Sequence, residues 1–506
     1  MIERIAAIVR ADVLIRFRRL STVVVFLLLS AFAYIWVPAP ASGRALMRVA
    51  GARVINNSAA VSIGTAMLAS LFIGLVGFYV VSNAIGRDVR TRCGSVIAST
   101  GVRSGEYITG KFAGNVLFLL TFTAGFMAVA MAMVVVRGEG PLEPFTFLEH
   151  YALLVPPTIA LVSVLAIVFE SIPFLSGRFG DVAYFFVWIV LMSATAGLVS
   201  SGVTWAEYFD FQGFAFVLAE LREKLGTQSF AIGAGPFDAK LPVIILRRID
   251  LEATTVLSRV VSSLLPLALL PVAWLAFHRF DPARVKGGTR HASGGWVARF
   301  NALLKPLTRI ARIIPARGAL ASDVLMTFTA QPIAFVVVVT LAIVGVMAPQ
   351  SLPILFAAVA VFIADVATRD RNAGAFALIS AAPLLRERYV VWKLSTALVV
   401  AAVLLAAPVS RALAARPGAL PAMIAGVFFI VAASVALGVI SGNPKTFIVL
   451  FLSFWYLTVN DRGASPALDF AGFYVVPPMT TTLTYAAMAV ALLAAAEAVH
   501  RVRLRD

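Results

Sequence analysis

The chain has 506 residues, of which 60% are hydrophobic and 13% charged, and its mean hydropathy is +0.93. One soluble core could not bury so much apolar surface, which excludes an ordinary soluble globular domain. Runs such as 23–29 and 335–339 are apolar on every face. They therefore predict membrane-spanning helices rather than the alternating strands of a membrane barrel.

The distribution of basic residues predicts the topology. A formal net charge of +17 would also suit nucleic-acid binding, so its placement along the chain decides between the two interpretations. We predict spans at about 21–39, 58–84, 112–136, 151–170, 182–201, 258–277, 329–348, 351–367, 394–410, 419–440, 446–459 and 480–498, each close to the length that crosses a bilayer. With the N-terminus inside, roughly two thirds of the Lys and Arg residues face the cytoplasm, as the positive-inside rule expects. Both termini are thus predicted to be cytoplasmic, with no nucleic-acid partner.

Short sequence matches recur in the same order in the two halves of the chain. They pair Asp12 to Phe17 with Asp323 to Phe328; Arg92, Gly94, Tyr107 and Lys111 with Arg371, Gly374, Tyr389 and Lys393; Leu175 to Gly177 with Ile440 to Gly442; and Asp210 to Phe214 with Asp469 to Phe473. The second pairing needs a small insertion in the later copy. Together the matches indicate a duplicated unit of six spans, and an even number of spans makes the two copies parallel.

The predicted fold is therefore an all-α polytopic membrane protein of about twelve transmembrane helices in two six-helix halves related by a pseudo-twofold axis. Residues 1–279 form the first half and residues 322–506 the second. A basic cytoplasmic linker, 280–321, joins them, and its stretch 296–314 predicts a basic amphipathic helix.

Each half begins with a mixed basic and apolar segment, predicted to be an amphipathic elbow helix at the membrane surface. The first is 1–20, which contains Asp12, Arg16 and Phe17, and the second contains Asp323 and Phe328. The alternative is that the arginines only fix the orientation of the first span.

The cytoplasmic segments 86–111 and 368–393 are too long for tight turns, and each holds a helical stretch between charged ends. A matched pair of this kind predicts docking elements, although each alone would suit an ordinary solvated loop. The candidate docking residues are Asp88, Arg90, Arg92, Gly94, Gly101, Glu106, Tyr107 and Lys111 in the first segment and Arg369, Arg371, Gly374, Pro383, Glu387, Tyr389 and Lys393 in the second.

These features resemble the permease subunits of type-two ATP-binding-cassette (ABC-2) exporters. In that family an elbow helix precedes six spans, and a coupling helix between the second and third spans docks onto a separate ATPase subunit. The chain departs from the family pattern at Gly101, where proline is common, and at Trp392, which replaces the glycine before Lys393. The family usually has one six-span unit per chain, so this chain resembles two fused units.

The family also places short re-entrant helices outside, between the fifth and sixth spans, where the external segments 201–255 and 460–479 are predicted. Both segments contain an Asp-Phe-x-Gly-Phe sequence, which we treat as an external gate motif. Its residues are Asp210, Phe211, Gly213 and Phe214 in the first half and Asp469, Phe470, Gly472 and Phe473 in the second. A lid formed mainly by the longer first segment is a further hypothesis.

The resemblance implies transport without catalysis in this chain. It implies a bacterial cytoplasmic (inner) membrane, two copies of a separately encoded ATPase that binds Mg-ATP, contact with membrane lipid, and a lipid, peptide or small-molecule substrate. No catalytic residue, metal ligand or cofactor is predicted in the chain itself. Gly105 to Lys111 mimics a phosphate-binding loop, but Phe112 stands where a magnesium-binding hydroxyl is required.

Two other functions stay open at this stage. A proton-coupled carrier of the major-facilitator type also has two parallel six-span halves, and Gly86, Asp88, Arg90 and Arg92 echo its loop after the second span. Such carriers usually place ionisable groups mid-membrane, whereas the acids here lie near predicted span ends. The other is a lipid-modifying membrane enzyme, for which the sequence offers no set of acid, base and metal ligands.

Overall fold

A computed structural model describes residues 1–18, 33–34, 36–172, 175–201, 203–226, 230–249, 252–278, 280, 318–330 and 332–504. The chain divides into two compact units, Met1–Ala292 and Ser293–Asp506. The predicted amphipathic helix 296–314, nearly all of the linker 280–321 and most of the first predicted span, 21–39, lie outside the described residues.

The first unit consists of helices and three short strands. In chain order these are α1 (Ile2–Phe17), β1 (Arg44–Val49), β2 (Ala52–Arg53), α2 (Ser58–Phe72), a π-helical turn (Ile73–Gly77), α3 (Phe78–Val81), α4 (Ala84–Arg90), α5 (Cys93–Ser99), α6 (Ser104–Arg137), α7 (Pro144–Leu154), α8 (Pro156–Ser171), α9 (Arg178–Ser200), a 3₁₀ helix (Thr204–Phe209), α10 (Phe214–Leu225), β3 (Phe230–Pro236), α11 (Ala253–Leu264), a 3₁₀ helix (Leu265–Leu269) and α12 (Leu270–Ala276).

The second unit consists of helices and the turns between them, within the residues that the structure describes. Its elements are α13 (Ala319–Ala330), α14 (Pro332–Met347), α15 (Leu352–Ile363), α16 (Arg369–Asn372), α17 (Phe376–Ser380), α18 (Pro383–Glu387), α19 (Tyr389–Ala415), α20 (Leu420–Ser441), α21 (Pro444–Asp461) and α22 (Met479–Arg503). In the first unit the short helices α4 and α5 stand between α3 and α6, and in the second unit α16, α17 and α18 stand between α15 and α19.

Several helices are long and apolar enough to cross a membrane. Within the described residues there are six of these, or up to eight if each of two bent helix pairs is a single span. In Ala253–Ala276, only 22% of the most apolar stretch is buried inside the protein. Because side chains such as Leu275 and Met347 are more than 80% exposed, lipid is the solvent that suits these surfaces. About 76% of the structure is helical, and this is a helical, multi-pass membrane protein.

The two bent pairs differ in angle, and the first has a local cause. α7 and α8 meet at 41°, where Pro156 and Pro157 open α8 and interrupt the hydrogen bonding of the preceding turn. At the start of the second unit, Ala319–Thr329 and Ala334–Met347 meet at 89°. The bend therefore turns the predicted second elbow away from the apolar helix that follows it.

A small antiparallel sheet in the first unit was not predicted. Its strand order is β2-β1-β3, and Arg44 pairs with Pro236 while Val49 pairs with Phe230. β1 is too short to give a clear period-two pattern, and its partner lies far along the chain, so neither signal was readable in the sequence. The segment 201–255, which was predicted to be external, thus contains a strand that pairs with residues 44–49.

Candidate functional site

The predicted docking segment of the first unit begins at a buried ionic cluster. Asp12 of α1, which is only 1% exposed, lies 2.8 Å from the Arg16 guanidinium and 3.0 Å from Lys111 Nζ, and it also contacts Arg87. Lys111 Nζ lies 2.9 Å from Asp88, whose carboxylate accepts a 2.7 Å hydrogen bond from the Tyr107 hydroxyl. The cluster joins α1, α4 and α6. We call it the first ionic cluster.

The second unit contains a matching arrangement, the second ionic cluster. Lys393 Nζ lies 3.1 Å from Asp323 of α13 and 2.6 Å from Asp370 of α16. Arg369 lies 2.5 Å from Asp323, and the Tyr389 hydroxyl donates to Asp370 at 3.3 Å. The first cluster thus joins α1, α4 and α6, and the second joins α13, α16 and α19 through the same types of contact.

The contacts align the two loop segments differently from the sequence matches. Tyr107 follows Asp88 by 19 residues, and Tyr389 follows Asp370 by the same 19 residues. The sequence-based pairing of Arg92 with Arg371 required an insertion in the later segment. Aligning the two segments on their aspartate–tyrosine hydrogen bonds requires no insertion. Arg92 then corresponds to Gly374.

The charges within each cluster nearly balance. Burial alone would raise the pKa of Asp12, but Arg16, Lys111 and Arg87 outweigh that effect and hold the pKa at about 2. Asp12 is therefore ionised across the physiological pH range. A buried charge network of this kind contributes little net stability compared with an apolar core, but removing one member leaves an uncompensated charge and is strongly destabilising.

Small residues allow α1 to lie directly against α6. A Cβ atom at Gly110 would approach the Ile8 side chain to 2.8 Å, and one at Gly114 would lie 3.4 Å from the Asp12 carboxylate. In the second unit, Trp392 and Thr396 stand at these two positions, and the Thr396 hydroxyl donates to Asp323 at 2.9 Å. The glycine missing before Lys393 is thus a local difference in how closely the two helices pack.

The loop helices α5 and α17 expose apolar side chains at equivalent positions. Val96 is 65% exposed and Leu378 is 80% exposed. Gly94, in the first turn of α5, is buried, and a Cβ atom there would lie 2.5 Å from the Phe280 ring. An isolated apolar side chain on a water-facing loop is unremarkable, but the same exposure at both copies indicates a surface that a partner could cover.

The remaining predicted loop residues lie around these helices. The Gly101 carbonyl accepts from Arg4 of α1 at 2.7 Å, and Glu106 lies 3.6 Å from the same guanidinium. The Arg371 guanidinium lies over the Phe376 ring at 4.6 Å. Glu387 is exposed at the end of α18. The side chains of Arg90 and Pro383 lie outside the described part of the chain.

The elbow phenylalanines pack against neighbouring helices. Phe17 contacts Phe118 of α6 edge-on at 5.4 Å between ring centroids. Phe328 contacts Phe335 at 5.4 Å and Phe362 at 6.2 Å. Each elbow is therefore attached to its own unit by an aromatic contact as well as by the ionic cluster.

The two Asp-Phe-x-Gly-Phe motifs form the same turn. Asp210 accepts from the Phe216 backbone N–H at 2.8 Å, and Asp469 accepts from the backbone N–H groups of Phe473, Tyr474 and Val475 at 2.7 to 3.0 Å. Gly213 and Gly472 have φ of 78° and 68°, a left-handed conformation that residues with a Cβ atom rarely adopt.

The phenylalanines of the motif differ in exposure. Phe211 and Phe470 are buried, as is Phe473, whereas Phe214 is partly exposed. The Phe211 carbonyl accepts from Thr158 of α8 at 2.6 Å. The motif is thus a packed turn held by its aspartate, and a gating movement would have to move it as a unit.

Arg87, Thr396, Glu170 and Arg259 were missed as site residues. Arg87 contacts Asp12, and Arg259 is buried and donates to the Asp210 carbonyl at 2.7 Å. A signal for the first existed: the Arg-Asp pair 87–88 recurs as 369–370, at equal distance from each tyrosine. Arg259 had no such signal, because it lies in a predicted span far from the motif in sequence.

A buried contact joins a serine of α2 and a histidine of α7. Ser62 Oγ lies 2.6 Å from His150 Nδ1, and it donates to the Ser58 carbonyl at 2.6 Å. His150 Nε2 accepts from the Ile249 N–H at 3.2 Å, which leaves Nδ1 as the proton-bearing atom. The histidine cannot then remove a proton from Ser62, so the contact is structural.

Comparisons with known proteins identify no family for this chain. A scan against family models and searches of curated proteins and solved structures find no match to the chain.

Proposed function

We propose that the chain is the transmembrane subunit of an ATP-driven exporter that resembles the ABC-2 permeases. The observation that carries this proposal is the pair of ionic clusters. The first joins α1, α4 and α6, and the second joins α13, α16 and α19. A loop tied in this way can pass a force from a cytoplasmic partner directly into two helices.

The contacts supply a physical route for that force. Lys111 bridges Asp12 and Asp88 at 3.0 and 2.9 Å, so α1 and α4 share one cation of α6. Lys393 bridges Asp323 and Asp370 in the same way. Because three elements meet in each buried cluster, none of them can shift without moving the others or breaking an ion pair.

The proposal includes the finer architecture. We propose about twelve spans in two parallel halves with a pseudo-twofold relation, both termini in the cytoplasm of a bacterium, and two copies of a separate ATPase that binds Mg-ATP. The exposed Val96 and Leu378 then belong to the two surfaces that the ATPase subunits contact. A substrate of lipid, peptide or small-molecule nature would cross by alternating access between inward-open and outward-open states.

Co-purification tests the proposal. The tagged chain, extracted in mild detergent from its native host, should retain an ATPase in a ratio of about two per chain, and the complex should hydrolyse Mg-ATP. Reversing charge at both Arg92 and Arg371 should weaken this association, whereas reversing charge at the external Arg44 should not. Full association of the Arg92 and Arg371 variant would remove the basis for docking through these loops. Transport by the isolated chain under a proton gradient would support a secondary carrier instead.

A further inference from the structure

The bend between α7 and α8 leaves a backbone carbonyl without its helical partner. In an unbroken helix the Leu153 carbonyl would accept from the N–H of residue 157, but that residue is proline and has no N–H. Side chains from two other helices donate at this bend. Arg259 Nε of α11 donates to the Leu153 carbonyl at 3.0 Å, and Ser70 Oγ of α2 donates to the Leu154 carbonyl at 3.1 Å. Polar contacts from α2 and α11 therefore hold the bend.

The same arginine also holds the Asp-Phe-x-Gly-Phe sequence of the first unit, residues 210–214, which we call the outer turn. Arg259 Nη1 donates to the Asp210 carbonyl at 2.7 Å and lies 4.0 Å from the Asp210 carboxylate. The guanidinium carbon lies 5.5 Å from the centre of the Phe216 ring of α10. Arg259 is only 3% exposed, so one buried cation connects α11 with the bend, the outer turn and α10.

The outer turn also contacts the bend directly. A Cβ atom at Gly213 would lie 2.7 Å from Leu154 Cδ2, and the Thr158 hydroxyl donates to the Phe211 carbonyl at 2.6 Å. The turn and the bend are thus in close contact, and Arg259 donates to a carbonyl of each. The outer turn cannot leave the bend unless Arg259 releases one of these two carbonyls.

Arg259 lies in the candidate span Ala253–Ala276, where a buried charge is costly unless its donors are used. We propose that Arg259 is a positioning residue that fastens the outer turn to the proline bend, and that the first unit opens on its outer side when this arginine releases the turn. A guanidinium suits this role because it donates to two carbonyls in fixed directions, whereas a lysine has a single nitrogen.

The reactivity of a single cysteine tests the fastening without any partner protein. Cys93 is the only cysteine of the chain, so a Cys93→Ser background accepts one reporter at a time. Ala215, at the start of α10, is 1% exposed and reports on the outer turn. In the full chain in membrane vesicles carrying Ala215→Cys, Arg259→Met should speed the reaction with a membrane-impermeant maleimide about tenfold, because the turn loses its buried cation and opens more often.

Matched variants separate the fastening from a general loss of structure. Arg248→Met removes an arginine of the same segment whose side chain is 59% exposed, and it should leave the reaction rate unchanged. Arg259→Lys keeps the charge and one donor nitrogen, so it should give an intermediate rate. A second reporter, Ala45→Cys in β1, is placed at a residue that is also 1% exposed, and it should stay slow in the Arg259→Met variant. Equal acceleration at both reporters, or none at residue 215, would overturn the fastening.

The proline supplies a test that an arginine with a merely structural role would not pass. Pro157→Ala restores the missing N–H, so the Leu153 carbonyl gains a helical partner and depends less on Arg259. In that background the acceleration caused by Arg259→Met should fall from about tenfold to about threefold. Equal acceleration in the two backgrounds would show that Arg259 does not act through the bend, and it would overturn the proposal.

The opening movement rests on the proposed function and has its own measurement. In a complex with the ATPase, addition of ATP and vanadate should speed labelling of the reporter at residue 215 about threefold, whereas the Arg259→Met variant, in which the turn is already released, should show no further increase. Unchanged labelling on addition of nucleotide would overturn the opening movement. If the unmodified chain binds no ATPase, the proposed function fails, while the vesicle measurements still decide whether Arg259 fastens the outer turn.

Discussion

Arg92 and Gly374 occupy the same position of the repeated loop, and both have left-handed backbone, with φ of 60° and 71°. For an arginine this conformation costs about 1 kcal/mol or more, whereas glycine adopts it freely. Gly374 therefore suits this backbone conformation, whereas Arg92 adopts the same conformation with backbone strain.

Replacing Arg92 with glycine should stabilise the chain, and replacing Gly374 with arginine should destabilise it, each by about 1 kcal/mol. Thermal unfolding of the purified protein, followed by tryptophan fluorescence, should show opposite shifts of roughly 2 to 4 °C. Arg388→Gly, at the cap of α19, controls for loss of a loop charge. Equal shifts in the same direction for the two main variants would contradict the shared turn.

Lys393 bridges two carboxylates and is fully buried, so its truncation should be among the most damaging single changes in the second unit. Lys393→Met should destabilise the fold by about 3 to 5 kcal/mol, because Asp323 and Asp370 lose their shared cation. The half-life of the folded protein at a fixed elevated temperature provides the measurement.

A double variant separates the charge effect from lost packing. Lys393→Met combined with Asp370→Asn removes one charge of each sign, so it should be more stable than Lys393→Met alone. If the losses in the free energy of unfolding of the two single variants simply add in the double variant, then the two residues have no coupling energy.

The low pKa of Asp12 gives a pH dependence with a definite sign. Because the folded pKa of about 2 lies below the usual aspartate value, the ionised group stabilises the fold above pH 4, and this contribution falls as pH drops towards 2. The stability difference between the unmodified chain and Asp12→Asn should thus be constant from about pH 5 to 8 and shrink below about pH 4. A difference that grew on acidification would contradict the assignment.

The exposed apolar residues of the loop helices give a test of docking. Val96→Asp and Leu378→Asp place a charge where an apolar contact is proposed, and each should weaken ATPase association by tenfold or more, at a cost of about 1.4 kcal/mol per factor of ten. The conservative exchanges Val96→Ile and Leu378→Val should preserve it. Sedimentation or pull-down with the partner ATPase measures the association. Unchanged binding of both aspartate variants would contradict docking through α5 and α17.

Much of the helical architecture was readable because apolar runs and charged boundaries are strong local signals. The pairing of Asp12 with Lys111, by contrast, joins residues 99 positions apart, and only the structure shows it. The backbone leaves the helical conformation at Ser82 and Asn83, at the end of the predicted span 58–84. Glu170 looked like an ordinary acid at a span end, but it accepts from the N–H groups of Ala84, Ile85 and Gly86. The sequence shows which residues are charged; only the fold shows which of them share one buried site.

The contact between β1 and β3 has a consequence for biosynthesis. Arg48 and Pro236, which are joined by a 2.7 Å hydrogen bond, lie 188 residues apart. At about 5 to 20 residues per second, ribosomes need roughly 10 to 40 s to supply the second strand after the first has emerged. During that interval β1 and β2 form a short ribbon with an open edge, which is a template for pairing with another chain. The nascent protein therefore exposes this edge until β3 has been synthesised, and slow growth at low temperature should lengthen that period.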